Sequence, residues 1–494
     1  MKLGRLFALG SLASLAPLVE FSSRLGRTVI LSRNLTPTEF GIGAALTVLM
    51  GIAWLSTDLG LDRFLILRAP EEDRDTLAAA HQLSALRGAA IGVLIFLAAP
   101  WAAAFFGAPG NAWSFRAIAG VVLLHSLAHL EIKQTQRNFR YGPDAMAYVI
   151  AHSAVLLAVY PAVRLLGDHR AVLVVLYIEG GTYVAVSHIV ARQRYSLWSK
   201  RPEIRRAALA YGLPLSLNGI GLAVMSQLDR ALVSHWFGLE ELAFYAIILN
   251  MTVIPISAIQ RVLNQLAMSF LADRRGDPIA TARVNFTVHW AYALTAAVYA
   301  LFVAASLDLL APLIFGAVYR VPPAVHALVA VIVWIRVFRG APTLILLSAG
   351  DTTRLLAANL VAVSWVPVAA AALPLWPGLA TVLAAVLIGD ALSLVSFLWN
   401  TRRRLKGQVP AVLRQLAWSF AAMSAGFLSI WAPALGAPLL RPGFLALGLV
   451  LAALQLAYGA WRFLPEGSRA AAAAEKIPTQ SAAMVPRARN EGNP

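Results

Sequence analysis

The sequence predicts an all-α, polytopic membrane protein of about 14 transmembrane helices. Of its 494 residues, 59% are hydrophobic and only 13% are charged, and the mean hydropathy is +0.70. Apolar runs of roughly 20 residues, the length at which a helix crosses a ~30 Å hydrocarbon core, recur from one end of the chain to the other. The chain contains no cysteine, which excludes disulfides, thiolate nucleophiles and cysteine-ligated metals.

The predicted spans are the apolar runs between clusters of charged and turn-forming residues. The first run continues into charged residues without a small-residue cleavage site, so we interpret it as a span and not as a removed signal peptide. The spans cover approximately residues 8–31, 41–61, 84–106, 113–132, 144–163, 171–191, 207–236, 239–260, 285–305, 323–347, 355–374, 379–400, 411–432 and 442–464.

The distribution of basic residues sets the predicted orientation. Most of the 41 lysines and arginines fall in alternate connections and near the two termini, and such residues concentrate on the cytoplasmic side of a membrane. Both termini are therefore predicted to be cytoplasmic (N-in/C-in). The basic clusters at 192–206 and 402–406 then contact anionic membrane lipids, and the net charge of +17 does not indicate a nucleic-acid partner.

The chain also repeats itself. A displacement of 202 residues aligns residues 31–46 with residues 233–248 and superposes Arg27 on Asp229. A displacement of 210 residues superposes the basic cluster after the sixth span on the one after the twelfth. Two six-helix lobes are therefore predicted, in the same orientation because six is even, as in a parallel repeat about an axis along the membrane normal. The predicted organisation is an N-terminal lobe (1–206), a C-terminal lobe (207–406), two additional transmembrane helices (407–464) and a disordered cytoplasmic tail (465–494).

Three ionisable side chains interrupt the first predicted span. Glu20, Arg24 and Arg27 are spaced i, i+4 and i+7, which places them within a ~60° sector of a helix. An ionisable group at membrane depth costs ~2.5–3.5 kcal/mol on insertion scales, so the three face protein, water or a charged ligand rather than lipid. Glu20 and Arg24 are positioned to pair along the helix. Arg27 is left for an anion, unless all three groups serve packing alone through pairs with neighbouring helices.

Several short motifs resemble the signatures of one transporter family. Residues 33–41, R-N-L-T-P-T-E-F-G, resemble the R-x-L-x-P-x-E-F-G signature of the oligosaccharide flippase (polysaccharide transporter) family. That family belongs to the multidrug/oligosaccharidyl-lipid/polysaccharide exporter superfamily. Residues 243–245, Ala-Phe-Tyr, depart from its pattern, which usually has a glycine two residues before the tyrosine. Further matches follow in the order of the family: Tyr211-Gly212-Leu213-Pro214, Gln227-Leu228-Asp229-Arg230, Phe315-Gly316-Ala317-Val318-Tyr319 and Gly350-Asp351-Thr352.

The resemblance implies a flippase of lipid-linked glycans. Its substrate would be a polyprenyl-diphosphate-linked oligosaccharide, moved from the cytoplasmic to the outer leaflet of the cytoplasmic (inner) membrane of a bacterium by alternating access through a central cationic cavity. The product would serve the synthesis of surface polysaccharide such as O-antigen, capsule or exopolysaccharide. The partners implied are membrane lipids, a glycan polymerase and other polysaccharide-assembly proteins.

A diphosphate needs cationic ligands in such a cavity. The guanidinium group stays charged and binds phosphate bidentately, so Arg24 and Arg27, together with Glu20, are the predicted substrate-binding residues. In the second half Asp229 takes the place of Arg27. We expect these two to pair across the empty cavity and to separate when the substrate arrives.

Charged residues in later spans are further candidates. Arg336 and Arg339, in the tenth span, either line the cavity or anchor the helix at its cytoplasmic edge. Glu179 and Asp390, in the sixth and twelfth spans, occupy nearly equivalent places in the two halves. A carboxylate deep in a helix bundle can exchange a proton or hold Na⁺, so both are candidates for ion coupling, with a helix-packing hydrogen bond as the alternative.

Two histidines complete the candidate set. His125 and His129 are spaced i, i+4 on the fourth predicted span, which fits two satisfied core histidines, a pH-sensitive contact or ion coupling. This spacing would also suit a metal, but no third ligand lies on that face, so we expect neither a metal nor a cofactor.

Two other functions fit a polytopic chain. A multidrug antiporter of the same superfamily would transport cations and would favour an acidic, aromatic-lined cavity, whereas the first span here offers two arginines. An integral-membrane glycan polymerase or ligase would need an acid/base or cationic group on a sizeable external loop, and the predicted external loops are short. The sequence therefore favours a transporter and not an enzyme.

Overall fold

The computed structural model describes residues 3–67, 73–138, 140–199, 201–273, 278–349, 351–405, 409–433 and 435–463. Within these ranges the chain is all α, without a strand. Its α-helices are α1 (Leu3–Asn34), α2 (Pro37–Ser56), α3 (Leu61–Leu67), α4 (Asp73–Phe105), α5 (Ala112–Ser126), α6 (Glu131–Gln134), α7 (Gly142–Leu166), α8 (Arg170–Val190), α9 (Pro202–Phe237), α10 (Leu239–Asp273), α11 (Pro278–Phe315), α12 (Pro323–Phe338), α13 (Gly340–Ser348), α14 (Thr352–Ala362), α15 (Trp365–Ala372), α16 (Leu379–Thr401), α17 (Val409–Trp431) and α18 (Arg441–Phe463).

The helices confirm a polytopic membrane protein. In the described part of the chain, ten helical segments are long and apolar enough to cross a membrane, and twelve are if each of two bent pairs counts as one span. Every one of the fourteen predicted spans falls on one helix or on two consecutive helices. The count of fourteen and the N-in/C-in orientation stay predictions, and the tail predicted to be disordered, residues 465–494, lies outside the described residues.

The buried apolar residues form two main clusters. One draws mostly on residues 31–176, with additions from the adjoining ends of α9, α10 and α11. The other draws on residues 233–430 and therefore includes α17 as well as the second predicted half. Each half thus has a hydrophobic core of its own, and α17 packs onto the second half through α11 and α12.

Several predicted spans are broken helices. The fourth bends by 53° between α5 and α6, and α9 bends by 43° between residues 221 and 226. The tenth and eleventh spans are divided into α12 with α13 and α14 with α15. Pro342 lies in the first turn of α13 and Pro367 in the first turn of α15. The missing N–H of proline removes no intrahelical hydrogen bond at these positions.

Residues that the predicted repeat superposes contact each other at the N-termini of α2 and α10. Thr38 Oγ1 donates a hydrogen bond to Glu240 Oε1 at 2.8 Å, and these residues superpose under the displacement of 202. A residue can contact its own counterpart only near the axis that relates the two halves. The same two helix ends come closest at Gly41, where an added Cβ would lie 2.0 Å from the carbonyl oxygen of Leu239.

The motif T-P-T-E divides its roles among neighbouring residues. Thr36 is the N-cap of α2 and its Oγ1 accepts the Glu39 N–H at 3.2 Å, with Pro37 at the first helical position. Glu39 Oε2 accepts both the backbone N–H of His169, at 2.9 Å, and a hydrogen bond from its Nδ1, at 2.6 Å. The motif therefore caps a helix, links the first half to the second through Thr38, and ties α2 to the loop before α8.

Gly41→Ala is expected to destabilise the protein by about 1–3 kcal/mol, because the new methyl group meets backbone that cannot rotate away. The measurement is thermal unfolding of the purified protein in detergent. Gly443→Ala is the matched control, since an added Cβ there meets nothing within 4 Å and alanine is the better helix former. Equal melting temperatures for the two variants would contradict the close approach of α2 and α10.

Candidate functional site

The charged face of α1 begins with an ion pair along the helix. Arg24 Nη2 lies 2.8 Å from Glu20 Oε1, one turn earlier, which confirms the pairing that the spacing predicts. The side chains are 52% and 25% exposed, respectively. Arg24 therefore keeps much of its guanidinium accessible while it is partly neutralised.

Arg27 pairs with a residue of the same half. Its Nη1 lies 3.2 Å from Glu179 Oε2 on α8, and the two side chains are 18% and 24% exposed. The predicted pairing of Arg27 with Asp229 across a cavity is not what the structure contains. Glu179 is the nearer carboxylate because α8 belongs to the same half as α1, and both pack against α7.

Close packing of α1 on α7 places Arg27 against α8. A Cβ added to Gly26 would lie 2.8 Å from Leu156 Cδ2, so a larger residue here would require the Leu156 side chain to shift. Ser23 Oγ donates a 3.0 Å hydrogen bond to the carbonyl oxygen of His152. These contacts fix the rotation of α1, which is why the charged face points toward Glu179.

Glu179 has two histidines beside it as well as Arg27. His152 Nδ1 on α7 lies 4.0 Å from Glu179 Oε1, and the imidazole is 6% exposed. The ring of His125, at the end of α5, packs against Gly180, where an added Cβ would lie 2.9 Å from its Cδ2. His125 is within electrostatic range of Glu179, and its buried Nδ1 lacks a hydrogen-bond partner among the described residues. The carboxylate of Glu179 is therefore a shared centre for groups from α1, α5 and α7.

The expectation that His125 and His129 share one helical face is wrong. The helix α5 ends at Ser126, and the chain bends before α6 begins at Glu131. His129 lies in this break, where its Nε2 contacts Gln193 O at 3.0 Å and its Nδ1 accepts the Glu131 N–H. It serves the local backbone, whereas His125 faces Glu179.

The second half holds its carboxylate with two arginines. Asp390 on α16 accepts from Arg336 Nε at 2.7 Å and from Arg339 Nη1 at 3.0 Å, and its side chain is only 5% exposed. Arg339 Nη1 also donates to Ser393 Oγ at 3.3 Å. Both arginines are thus bound to a buried acid, and Asp390 and Glu179, which fall within one position of each other under the displacement of 210, have different partners.

Asp229, the counterpart of Arg27 in the second half, is buried beside a tyrosine. Tyr245 donates to its Oδ2 at 2.7 Å, and the backbone N–H of Arg230 donates to its Oδ1 at 2.8 Å. The guanidinium of Arg230 turns instead to Gln227, at 3.2 Å. Sequence reasoning missed Tyr245, although a phenol within an apolar span needs a polar partner and so signals one nearby.

A small pocket lies among α10, α12 and α16. Its polar lining comes from Tyr245, Thr252 and Arg336, and the other lining residues are aliphatic. Arg336 is also within electrostatic range of Asp229. Of the charged candidate residues in the second half, the lining includes Arg336 and neither Asp229 nor Asp390.

The charges of the candidate residues balance within each half. The first half contributes Glu20 and Glu179 against Arg24 and Arg27. The second contributes Asp229 and Asp390 against two arginines of α12 and its C-terminus. An entering anion therefore meets arginines that already have carboxylate partners, and it must compete with those partners.

The G-D-T motif has a structural role outside the spans. Asp351 caps α14 by accepting the Arg354 N–H, and its Oδ2 also lies 3.1 Å from Arg404 Nη2. Desolvation acts to raise the pKa of this carboxyl, but the hydrogen bond from Arg404 and those from Arg354 outweigh it and lower the pKa. The motif thus ties the start of the eleventh span to the basic cluster after the twelfth.

Asp390→Asn is expected to destabilise the protein by about 3 kcal/mol, because it leaves two arginines, 26% and 19% exposed, without their buried counter-charge. Thermal or denaturant unfolding of the purified variant measures this. Asp308→Asn is the control: it removes the partner of Arg441 in a pair that is 28% and 33% exposed, and about 0–1 kcal/mol is expected. The expectation fails if the two variants unfold alike.

Comparisons with known proteins agree with this architecture. The inward closed conformation of the lipid II flippase MurJ has a TM-score of 0.64 and 11% identity, covering 91% of this chain and 98% of that chain. An inward-facing multidrug resistance MATE family transporter of the MOP superfamily has a TM-score of 0.57 and 17% identity, covering 81% and 99%. A MATE structure in the straight conformation has a TM-score of 0.51 and 18% identity, covering 83% and 96%. At these identities the likeness establishes the fold, and no curated protein sequence matches the chain.

A family model establishes more than the fold. Residues 30–322, over half of the chain, match the model described as polysaccharide biosynthesis protein. The matched range begins within α1, next to the R-x-L-x-P-x-E-F-G motif, and ends before α12. The family match and the structural likeness to MurJ and to a MATE transporter together show that this multi-pass membrane protein belongs to the polysaccharide biosynthesis protein family and has the fold of MOP superfamily transporters.

Proposed function

We propose that the protein flips a polyprenyl-diphosphate-linked oligosaccharide from the cytoplasmic to the outer leaflet of a bacterial cytoplasmic membrane. The observation that carries the proposal is a partly accessible pair of arginines on the first helix of a chain in this family. The glycan so delivered would be used by a polymerase and other assembly proteins for surface polysaccharide.

The chemistry of the substrate matches these arginines. A diphosphate cannot cross hydrocarbon unshielded, and a guanidinium binds phosphate oxygens bidentately without losing its own charge. Arg24 is half-exposed, and a guanidinium facing lipid at membrane depth is unfavourable by ~2.5–3.5 kcal/mol. We therefore assign this face of α1 to a water-filled cavity between the halves, where Arg24 and Arg27 bind the diphosphate.

Substrate binding would exchange one ion pair for another. Arg27 leaves Glu179 and binds the diphosphate, so that neither state leaves the guanidinium unpaired. In the second half Arg336 and Arg339 are held by Asp390 and contribute positive potential beside the Tyr245–Asp229 pair. The division of roles is an exchangeable arginine in the first half and fixed arginines in the second.

The halves contact each other at both ends of the molecule, with α9 packed on the C-terminal end of α2 at one end and the following contacts at the other. Thr38 binds Glu240, and Arg33 donates to the carbonyl oxygens of Leu313 and Ile314 at the end of α11. In the predicted orientation these contacts lie on the external side. Opening toward the outside would require both to separate, which gives alternating access a defined set of contacts.

A buried hydrogen-bonded array bears on the enzyme alternative. Ser114 Oγ lies 2.7 Å from His169 Nε2, and His169 Nδ1 lies 2.6 Å from Glu39 Oε2, which resembles the order of groups in a hydrolase triad. Ser114 is completely buried and His169 is 5% exposed. A substrate cannot reach this serine, so we assign the array to holding α2, α5 and the loop before α8 together.

Arg24→Ala and Arg27→Ala are expected to abolish or strongly reduce glycan export while the protein remains folded and inserted. The removed guanidinium binds the diphosphate, and the carboxylates left behind, Glu20 and Glu179, are 25% and 24% exposed, so water can still solvate them. Arg27→Lys should rescue export only in part, because charge is kept but the planar fork is lost. The assay is export of lipid-linked glycan in cells that lack their own flippase, with expression matched.

Arg164→Ala is the control for these variants, because Arg164 is an exposed arginine near the end of α7. Its export should equal that of the wild type. Normal export by the double variant Arg24→Ala/Arg27→Ala at normal expression would refute the substrate role.

The absence of cysteine allows a direct test of alternating access. In Thr38→Cys/Glu240→Cys, a short bifunctional thiol reagent should link the two halves at one end and stop export, and a reducible reagent should permit recovery. Asp308→Cys/Arg441→Cys, which links α18 to α11, is the control and should export normally after the same treatment. Undiminished export by the linked Thr38/Glu240 variant would rule out separation at this end.

A further inference from the structure

The two equivalent carboxylates differ in the chemistry of their neighbours. Asp390 binds two guanidinium groups, which keep their charge at every physiological pH. Glu179 binds one guanidinium and lies beside two imidazoles, each of which becomes positively charged when it gains a proton. Among the residues that the structure describes, side chains whose charge can change with pH lie beside Glu179 and not beside Asp390.

We propose that His152 and His125 are positioning residues that determine whether Glu179 holds Arg27. A proton on either imidazole gives Glu179 a second cationic partner and weakens its hold on Arg27, whose guanidinium is then released for a diphosphate. The inference rests on the proposed function and deepens it, because it adds a proton to the diphosphate-binding step. It assigns the proton-linked step to the first half alone.

The geometry supports a change of partner with little movement. Glu179 Oε2 faces Arg27 at 3.2 Å, while the other oxygen, Oε1, faces His152 Nδ1 at 4.0 Å, just beyond hydrogen-bond distance. A small rotation of the carboxylate would shorten the second contact and lengthen the first. Glu179 is 24% exposed, so water and protons can reach the group.

The charged groups around His152 lie on α1 and α8. His152 faces Glu20, Arg24 and Arg27 of α1 and Glu179 of α8, and its ring stacks near Tyr148 on its own helix. The net effect of these α1 groups is one positive charge, so Glu179 is the carboxylate that stabilises a protonated His152.

His125 has a simpler environment. It faces Glu179, and its ring lies against Trp54 of α2 at 5.1 Å and near Tyr183 of α8 at 6.1 Å. Its Nδ1 has no hydrogen-bond partner in the described structure, so a proton placed there breaks no existing bond. A charged His125 would be attracted to Glu179 and to no other acid that contacts it.

Thermodynamic linkage between proton binding and diphosphate binding gives the direction of the pH dependence. If protonation of the histidines favours diphosphate binding, diphosphate binding favours protonation by the same factor. The affinity for a diphosphate should therefore rise as pH falls, and substrate binding should take up protons. Replacing Glu179 by glutamine removes the competitor, so binding should be tight at every pH.

The first experiment needs no substrate. An arginine-directed glyoxal reagent is applied to the purified protein between about pH 8 and about pH 5.5, and modification of Arg27 relative to Arg164 is measured by mass spectrometry. In the wild type the ratio should rise about five- to tenfold with acidification, in line with couplings between linked sites. In His125→Gln/His152→Gln the ratio should stay low at every pH. In Glu179→Gln it should stay high at every pH. His188→Gln, the control far from Glu179, should show the same rise with acidification as the wild type.

A ratio that does not change with pH in the wild type overturns the inference. So does a wild-type slope in the double histidine variant, because the imidazoles would then be packing groups only. Retention of the full slope by Glu179→Gln would also overturn it, since the carboxylate would not be the group that Arg27 exchanges.

The second experiment separates this inference from the proposed function. Binding of a short-chain prenyl diphospho-sugar, whose diphosphate diester does not titrate in this range, is measured by calorimetry at the same pH values. Affinity should rise with acidification by about the same five- to tenfold factor in the wild type and not in the double histidine variant. Failure of every form to bind this probe, with the labelling results as expected, would refute the diphosphate substrate and leave the exchange of partners established.

Discussion

Neutralising charge inside a membrane is the constraint on which the rest of this structure depends. An ionisable group at membrane depth is tolerated only when it is paired or hydrated. Each half solves this with arginine–carboxylate pairs from different helices, Arg27 with Glu179 and Asp390 with Arg336 and Arg339. The pairs fix which faces of α1, α8, α12 and α16 meet. Packing and charge are therefore one problem in this fold, since a helix rotated away from its partner would leave an ion in hydrocarbon.

The two halves use this solution unequally. In the second half, Asp390 is nearly fully buried and holds two permanently charged partners, an arrangement whose disruption is strongly destabilising. In the first half, Arg27 and Glu179 are each about one-fifth exposed and share their surroundings with imidazoles. A binding site needs partners that can be exchanged at small net cost. The first half has this property, and a rigid second half provides the surface against which it can move.

The internal repeat places equivalent residues of the two halves in contact, in addition to the packing of α9 on α2 and α4. Thr38 binds Glu240, its own counterpart, and Gly41 lets α2 approach the backbone at Leu239. Contacts on an axis of symmetry can separate without sliding, because both partners move away from the axis together. The motif that contains Thr38 and Glu39 therefore serves two purposes, since Glu39 holds the first half together while its neighbour contacts the second.

The sequence by itself determined the class of fold, the positions of the helices and the types of chemistry. Apolar length and the spacing of Glu20 and Arg24 follow from local rules, and the structure confirms both. The family motifs and the internal repeat were also readable, because they depend on the order of residues along the chain. Helical spacing predicts neighbours only within an unbroken helix. His125 and His129 were therefore placed on one face, although α5 ends between them.

Only the tertiary structure decided which charges are partners. Asp229 was expected to pair with Arg27 because the repeat superposes them. In the structure Arg27 pairs with Glu179 of α8, and Asp229 accepts a hydrogen bond from Tyr245. A displacement along the chain relates equivalent places and does not measure the distance between them. The physical reason is that ion pairing falls off within a few ångströms, a scale set by helix rotation and close contacts such as Gly26 on Leu156, which no pattern in a single sequence specifies.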